Sequence, residues 1–210
     1  MCERLALTCD AATLRQAFSL AGPIEHEPRD DVAGHQSFPI VVAGAAGRAA
    51  RLASWGLVFS WVEVPAAFRD RTLRLPYSAA LRSRYYRRLT LGKRCAVPLS
   101  GFYLRGSEDG TLVRVGRTDG TLFAAAGIYD VWQRTGANKL SFALIMKAAG
   151  APCDTHVDLQ PALLKPDHVD AWLLGEPDEE KDFPFAPELR LRQVDGASSR
   201  NFDSSRDQTS

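Results

Sequence analysis

The 210-residue chain has no long hydrophobic run, four scattered cysteines and almost no net charge. None of its apolar stretches reaches the ~18 residues a membrane helix needs, which excludes a helical integral membrane protein. No basic–apolar–small-residue leader opens it, so we expect a cytoplasmic protein, not an exported one. Cys2, Cys9, Cys95 and Cys153 form no C-x-x-C pair, and no histidine stands at zinc-finger spacing. That argues against a metal centre, and a disulfide framework is not expected in a chain of this length without an export signal. Gly44-Ala45-Ala46-Gly47 lacks the G-K-[ST] ending of a phosphate loop, so no cofactor is expected either. Internal repeats are absent.

What is present is globular composition, 45% hydrophobic and 24% charged, in a length that suits one domain. Asp10 is placed to cap a helix over residues 10–20, with Leu14, Ala17 and Phe18 at helical spacing and Gly22-Pro23 as its stop. Residues 23–37 read as polar loop. Strand-like runs follow at 38–43, within 51–64, and at 96–104, 111–115, 122–132 and 140–146, with helical patterns at 78–90 and 166–174. From Ser198 to Ser210 the composition is that of a disordered tail. The sum is one α+β domain with mostly antiparallel strands.

The net charge of +1 hides an uneven distribution. Between Arg69 and Arg94 nine basic residues stand against one acid, Asp70, a local charge of +8. Tyr77, Tyr85 and Tyr86 are interleaved with Arg74, Arg82, Arg84, Arg87 and Arg88. Guanidinium groups bind phosphates and aromatic rings stack on bases, so the pattern suits nucleic acid. The plainer alternative is a solvated basic helix face balanced by the acidic residues around Glu176. Trp55, Trp132 and Trp172 read as core, whereas Trp61 suits either core or ligand platform. His26, His35 and His168 read as surface residues.

Cys2 is set apart by position. Removal of Met1 would leave a cysteine with a free amine and a thiol, whose ordinary pKa values of ~7.7–8.0 and ~8.5 keep nucleophilic forms available near neutrality. Such an aminothiol condenses with aldehydes to a thiazolidine, and the aldehyde that lies among phosphates is the opened sugar of an abasic site. An autoprocessing nucleophile and an incidental terminal residue are the other readings.

Five blocks in order sharpen these alternatives. They are Met1-Cys2-Glu3-Arg4, then Trp55-Gly56-Leu57 with Trp61, then Arg94 to Tyr103 (RCAVPLSGFY), then Phe123 to Asp130 (FAAAGIYD), and a stretch at 155–161. With them the sequence resembles the SOS response-associated peptidase (SRAP) family, proteins that cross-link to abasic sites in single-stranded DNA through a processed N-terminal cysteine. Arg200-Asn201 echoes that family's closing R-N element. The resemblance implies a SRAP-like domain over 1–197, a bent or barrel-like antiparallel sheet with flanking helices, and a monomer. It also implies an SOS-linked DNA-damage role with single-stranded DNA as partner.

The departures fall on the family's active positions. Cys2 and Arg4 carry over. Arg74 stands where the family has an asparagine, Leu104 where it has a catalytic glutamate, and Arg105 where a tryptophan follows. Val157 falls at the histidine position, with His156 one residue away. The resemblance therefore assigns Cys2 as nucleophile and His156 as acid/base, with Glu3 and Glu63 as further acids. Arg4, Arg74, Arg82, Arg84, Arg87 and Arg88 would contact phosphates, and Trp61, Tyr85 and Tyr86 would support bases. It leaves open whether peptidase or cross-linking activity survives. The alternatives are a SRAP-like single-strand binder without the chemistry, or a phage-associated interaction protein.

Overall fold

The computed structural model describes residues 2–63, 70–106, 110–134, 137–178, 183 and 185–194. Within these the order is β1 (Cys2–Leu7), α1 (Ala11–Ala17), β2 (Arg29–Ala33), β3 (Ser37–Gly44), β4 (Gly47–Trp55), β5 (Arg74–Pro76), α2 (Tyr77–Arg82) and α3 (Arg84–Gly92). Then come β6 (Arg94–Leu99), β7 (Gly101–Arg105), β8 (Leu112–Arg117), β9 (Phe123–Arg134), β10 (Ala137–Ala148), β11 (Leu159–Pro161), β12 (Leu163–Leu164), α4 (Val169–Leu174) and β13 (Leu189–Gln193).

Five strands close on themselves in the order β10-β4-β3-β6-β9, with β9 returning to β10, so a mostly antiparallel barrel forms the centre. Its one parallel seam joins β4 to β10, Ser54 facing Ser141 and Trp55 facing Phe142. A second sheet, β13-β8-β7-β1-β2, packs against it through a shared core that includes Leu5, Phe102, Val115 and Phe123. Closure of the barrel removes the exposed edges that an open sheet would present. Gly127 permits the β6–β9 contact, because an added Cβ would lie 2.9 Å from Cys95 Sγ. Trp55 and Trp172 are fully interior, and each indole N–H is satisfied, on Leu73 O and Cys95 O respectively.

Several sequence boundaries move, each for a local reason. The first helix forms with Asp10 accepting the Thr13 N–H at 2.7 Å, but it ends at Phe18, where Ser19 turns into the left-handed region, ahead of Gly22. Residues 29–33, expected in loop, form a strand because β1 supplies a ladder of partners that polar side chains do not prevent. The run within 51–64 is strand only to Trp55, since Gly56 takes φ +119 and turns the chain. The helix expected at 78–90 is two helices divided at Ser83, whose backbone is extended. The strand expected at 96–104 is also two. At the break the Ser100 N–H binds Ala6 O and the Ser100 hydroxyl accepts from Thr8, carrying the chain from barrel to second sheet. Gly44 to Gly47 is the tight turn of the β3–β4 hairpin.

No helix among the described residues is long and apolar enough to cross a membrane, and no cluster of three metal-ligating side chains occurs among them. The tail from Ser198, Arg200-Asn201 and Arg69 lie outside the described residues.

Candidate functional site

Cys2 opens β1, and antiparallel pairing with β7 puts it opposite Leu104, with a register irregularity before Arg4. Both side chains are fully buried. Burial pushes the Cys2 thiol up to about 12, with the Arg74 guanidinium pulling against it and Cys153 adding to the rise. Arg74 reaches this point because β5 runs parallel to β10, Arg74 beside Leu144. Its Nη1 donates to the Cys2 carbonyl oxygen. At the position where the resemblance implies an asparagine, the arginine thus anchors the Cys2 backbone.

His156 closes the short turn Cys153–Thr155, which also carries the buried Cys153 thiol. The imidazole is half-buried, with Nδ1 2.7 Å from Thr155 Oγ1. Val157, at the gap-free histidine position, is core.

No carboxylate takes Leu104's place on β7, but one lies beside it. Glu3 Oε1 accepts from Arg105 Nε at 2.9 Å, and Arg105 also donates to Gly110 O. Both residues are departures from the family pattern, and strand pairing makes them neighbours. The sequence names each of them singly, and only the β1–β7 pairing joins them. Arg4 lies on the same strand but is engaged, donating to Asp31 Oδ2 at 2.7 Å.

A separate group surrounds Trp61. In α3 the inward positions are Tyr86, Leu89 and Thr90, which leaves Arg84, Arg87 and Arg88 outside, joined by Arg82 from α2. Tyr85 is 48% and Trp61 54% exposed, and their rings lie 5.7 Å apart. Trp61 stacks on Phe59 at 5.2 Å, and Arg84 lies 4.8 Å above the Tyr85 ring. Tyr86 does not join this surface. It is half-buried against Phe59 at 5.4 Å, and burial raises its phenol.

The loop bearing Trp61 is held by two β9 residues that the sequence reading did not single out as site residues. Asp130 accepts the Ser60 N–H at 2.8 Å and the Lys93 ammonium at 2.5 Å. Trp132 Nε1 donates to Val62 O at 2.8 Å. Burial pushes the Asp130 carboxyl upward, but its bonds from Lys93, Ser60 and Val131 outweigh this and hold it below the ordinary range. Asp130 ends the FAAAGIYD block, and its sequence signal is the acid that closes the family's corresponding element.

The +8 window divides accordingly. Arg74, Lys93 and the buried Arg94, whose Nη2 donates to Gly175 O, serve the fold. Arg71, Arg82, Arg84, Arg87 and Arg88 face solvent. Of the other histidines, His26 is half-buried with Nε2 3.1 Å from Cys9 O, and His168 is exposed.

Solved structures share this architecture. A protein from Bacteroides thetaiotaomicron superposes with TM-score 0.77 at 18% identity, covering 93% of each chain. A protein from Bordetella bronchiseptica superposes with TM-score 0.78 at 18% identity, covering 92% of this chain and 99% of that one. A phage-related protein from Bordetella bronchiseptica gives TM-score 0.69 at 16% identity, over 92% and 94% of the two chains. No curated relative matches the sequence. A family profile described as SOS response associated peptidase (SRAP) matches residues 1–197, which takes in the Cys2 site, the Trp61 surface and both sheets. The chain belongs to the SOS response associated peptidase family.

Proposed function

We propose that the chain binds single-stranded DNA on the ledge of Trp61 and Tyr85, and that Cys2, freed of Met1, bonds covalently to the aldehyde of an abasic site elsewhere in the bound strand. Family membership supports a DNA-damage-related role. The observation that carries the binding part is the pair of exposed, adjacent rings bordered by Arg82, Arg84, Arg87 and Arg88. Bases stack on such rings without sequence preference while guanidinium groups hold the phosphates.

In the covalent step the Cys2 amine adds to the aldehyde, and loss of one water gives an imine. The thiol then adds across the C=N bond, sulfur to carbon and proton to nitrogen, closing the thiazolidine. The sulfur adds as thiolate once its proton has passed to the imine nitrogen, and Arg74 fixes the Cys2 carbonyl while the ring closes. His156, on the Cys153 turn, is the acid/base that assists water loss. Peptidase activity reduces here to release of Met1.

One observation favours a second reading, binding without the covalent step. Leu104 opposite Cys2 supplies no proton. Incubating Met1-processed protein with single-stranded DNA carrying an abasic site, followed by a denaturing gel, separates the two. An adduct that disappears in Cys2→Ala supports cross-linking. No adduct, with equal affinity for abasic and intact strands, supports binding alone. No binding at low salt overturns both.

A further inference from the structure

A second basic cleft lies on the five-stranded sheet, away from the helices that carry the aromatic ledge. Thr8, Ser100, Arg114, Arg117, Arg190 and Arg192 line a cavity of about 320 Å³. Its floor is bare where Gly116 stands opposite Arg190 in the β8–β13 ladder. A Cβ on Gly116 would meet Arg114 Nη1 at 3.3 Å, so glycine leaves room for the guanidinium over the backbone.

The ladder also places Arg192 directly opposite Arg114. Like charges at directly opposed positions of an antiparallel pair repel. Nearby acids answer only half of the positive charge: Asp30 bonds Arg114 at 3.0 Å, and Asp119 binds Arg117. Arg190 and Arg192, on one face of β13 by the two-residue period, are exposed and make no ion pair among the described residues. The Ser100 hydroxyl oxygen accepts both the N–H and the O–H of Thr8, at 3.1 Å each, so its own proton is left to donate. Opposed arginines, a further arginine and a hydroxyl donor around a glycine floor form a set of donors that exceeds what Asp30, on the cavity wall, and Asp119 accept.

We propose that this cleft binds a phosphate group, seated between Arg114 and Arg192, with Arg190 and Ser100 as further donors. The anion screens the opposed guanidinium pair and accepts the fork-like hydrogen bonds that arginine gives to phosphate oxygens. The phosphate belongs either to a small phosphoester or to a nucleic-acid strand. The site does not depend on Cys2 or on the aromatic ledge.

The test uses the full chain and the variant Arg190→Ala/Arg192→Ala, whose replaced side chains are solvent-exposed on an edge strand. Thermal unfolding is followed in inorganic phosphate against chloride at equal ionic strength, and binding of a labelled oligothymidine is followed against salt. The wild type gains about 5–10 °C with phosphate a hundredfold above its dissociation constant, and the double variant loses the gain. If oligonucleotide binding is then unchanged, the ligand is a small phosphoester. If the salt slope also falls by about 1.4, two contacts at about 0.7 each, the cleft holds a strand. A wild type with no gain over chloride, or a double variant that keeps the gain, overturns the proposal. Arg87→Ala/Arg88→Ala keeps the phosphate gain, which separates failure of the ledge from failure of the cleft.

Discussion

Asp130→Asn removes one charge from beneath the aromatic ledge while keeping the side chain's shape. The Asp130 carboxylate is 2% exposed and holds the Ser60 N–H and the Lys93 ammonium. Asparagine retains one acceptor for Ser60 and turns an amide N–H₂ toward Lys93. Breaking a fully buried ion pair by removing one partner costs about 3–5 kcal/mol. Lys93, however, is 33% exposed and regains water, so the loss falls to that of one charged hydrogen bond, about 2 kcal/mol. For a domain of this size that lowers Tm by about 4–8 °C. Because the bonds of Asp130 hold its carboxyl low, its contribution is complete above the unfolded-state pKa of about 3.9. It is lost as pH falls through the folded value, so the Tm gap between wild type and variant closes on acidification.

The same substitution reaches binding through Trp61, the residue after Ser60. Base stacking on an aromatic ring contributes about 1–3 kcal/mol, so Trp61→Ala weakens an oligothymidine complex about 5- to 150-fold. Asp130→Asn loosens the loop without deleting the ring, for an expected loss of about 3- to 10-fold, read by fluorescence anisotropy. In a Trp61→Ala background Asp130→Asn then has no further effect, since the ring it positions is gone. Equal losses in both backgrounds, or an unchanged Tm, would refute the reasoning.

Three further outcomes follow from the geometry. Arg87→Ala and Arg88→Ala each reduce the salt dependence of oligonucleotide binding by about 0.7 in log–log slope, equally for abasic and intact strands. Burial raises the thiols of Cys2, Cys95 and Cys153, so above the unfolded-state value of about 8.5 the unfolded chain loses protons first. Stability therefore falls with rising pH, by up to about 1.4 kcal/mol per pH unit for each thiol, and Cys95→Ala flattens the alkaline limb of a Tm–pH profile. Leu104→Glu restores a carboxyl opposite Cys2 and accelerates adduct formation about 10²–10⁴-fold in a quenched time course. An unchanged rate in a folded variant would show that water loss is not limited by the missing acid.

The sequence revealed what local chemistry and block order encode. Asp10 caps its helix, and Arg84, Arg87, Arg88 and Tyr85 of α3 face solvent as the basic, aromatic window suggested. It did not reveal features set by strand pairing. β2 is polar and is a strand only because β1 lies beside it. Arg74 reads as one more cation of a basic window, yet β5 carries it to the Cys2 carbonyl across two sheets. Tyr85 and Tyr86 are adjacent letters with opposite fates, because one helical position is 100° from the next. Lys93 and Arg94 likewise count toward +8 but are drawn inward by Asp130 and Gly175.

The same distinction governs the Cys2 site. Read along the chain, Glu3, Leu104 and Arg105 are three independent departures from a family pattern. Read across the β1–β7 pair they are a single rearrangement. The carboxyl is gone from the position facing Cys2, a carboxylate stands one residue along from Cys2 on its own strand, and a new guanidinium holds it at 2.9 Å. The negative charge near Cys2 is kept, while its contact with the reacting position is lost. The arrangement leaves a paired carboxylate beside Cys2 and an apolar side chain facing it, which is why Leu104→Glu is the substitution that tests the covalent step.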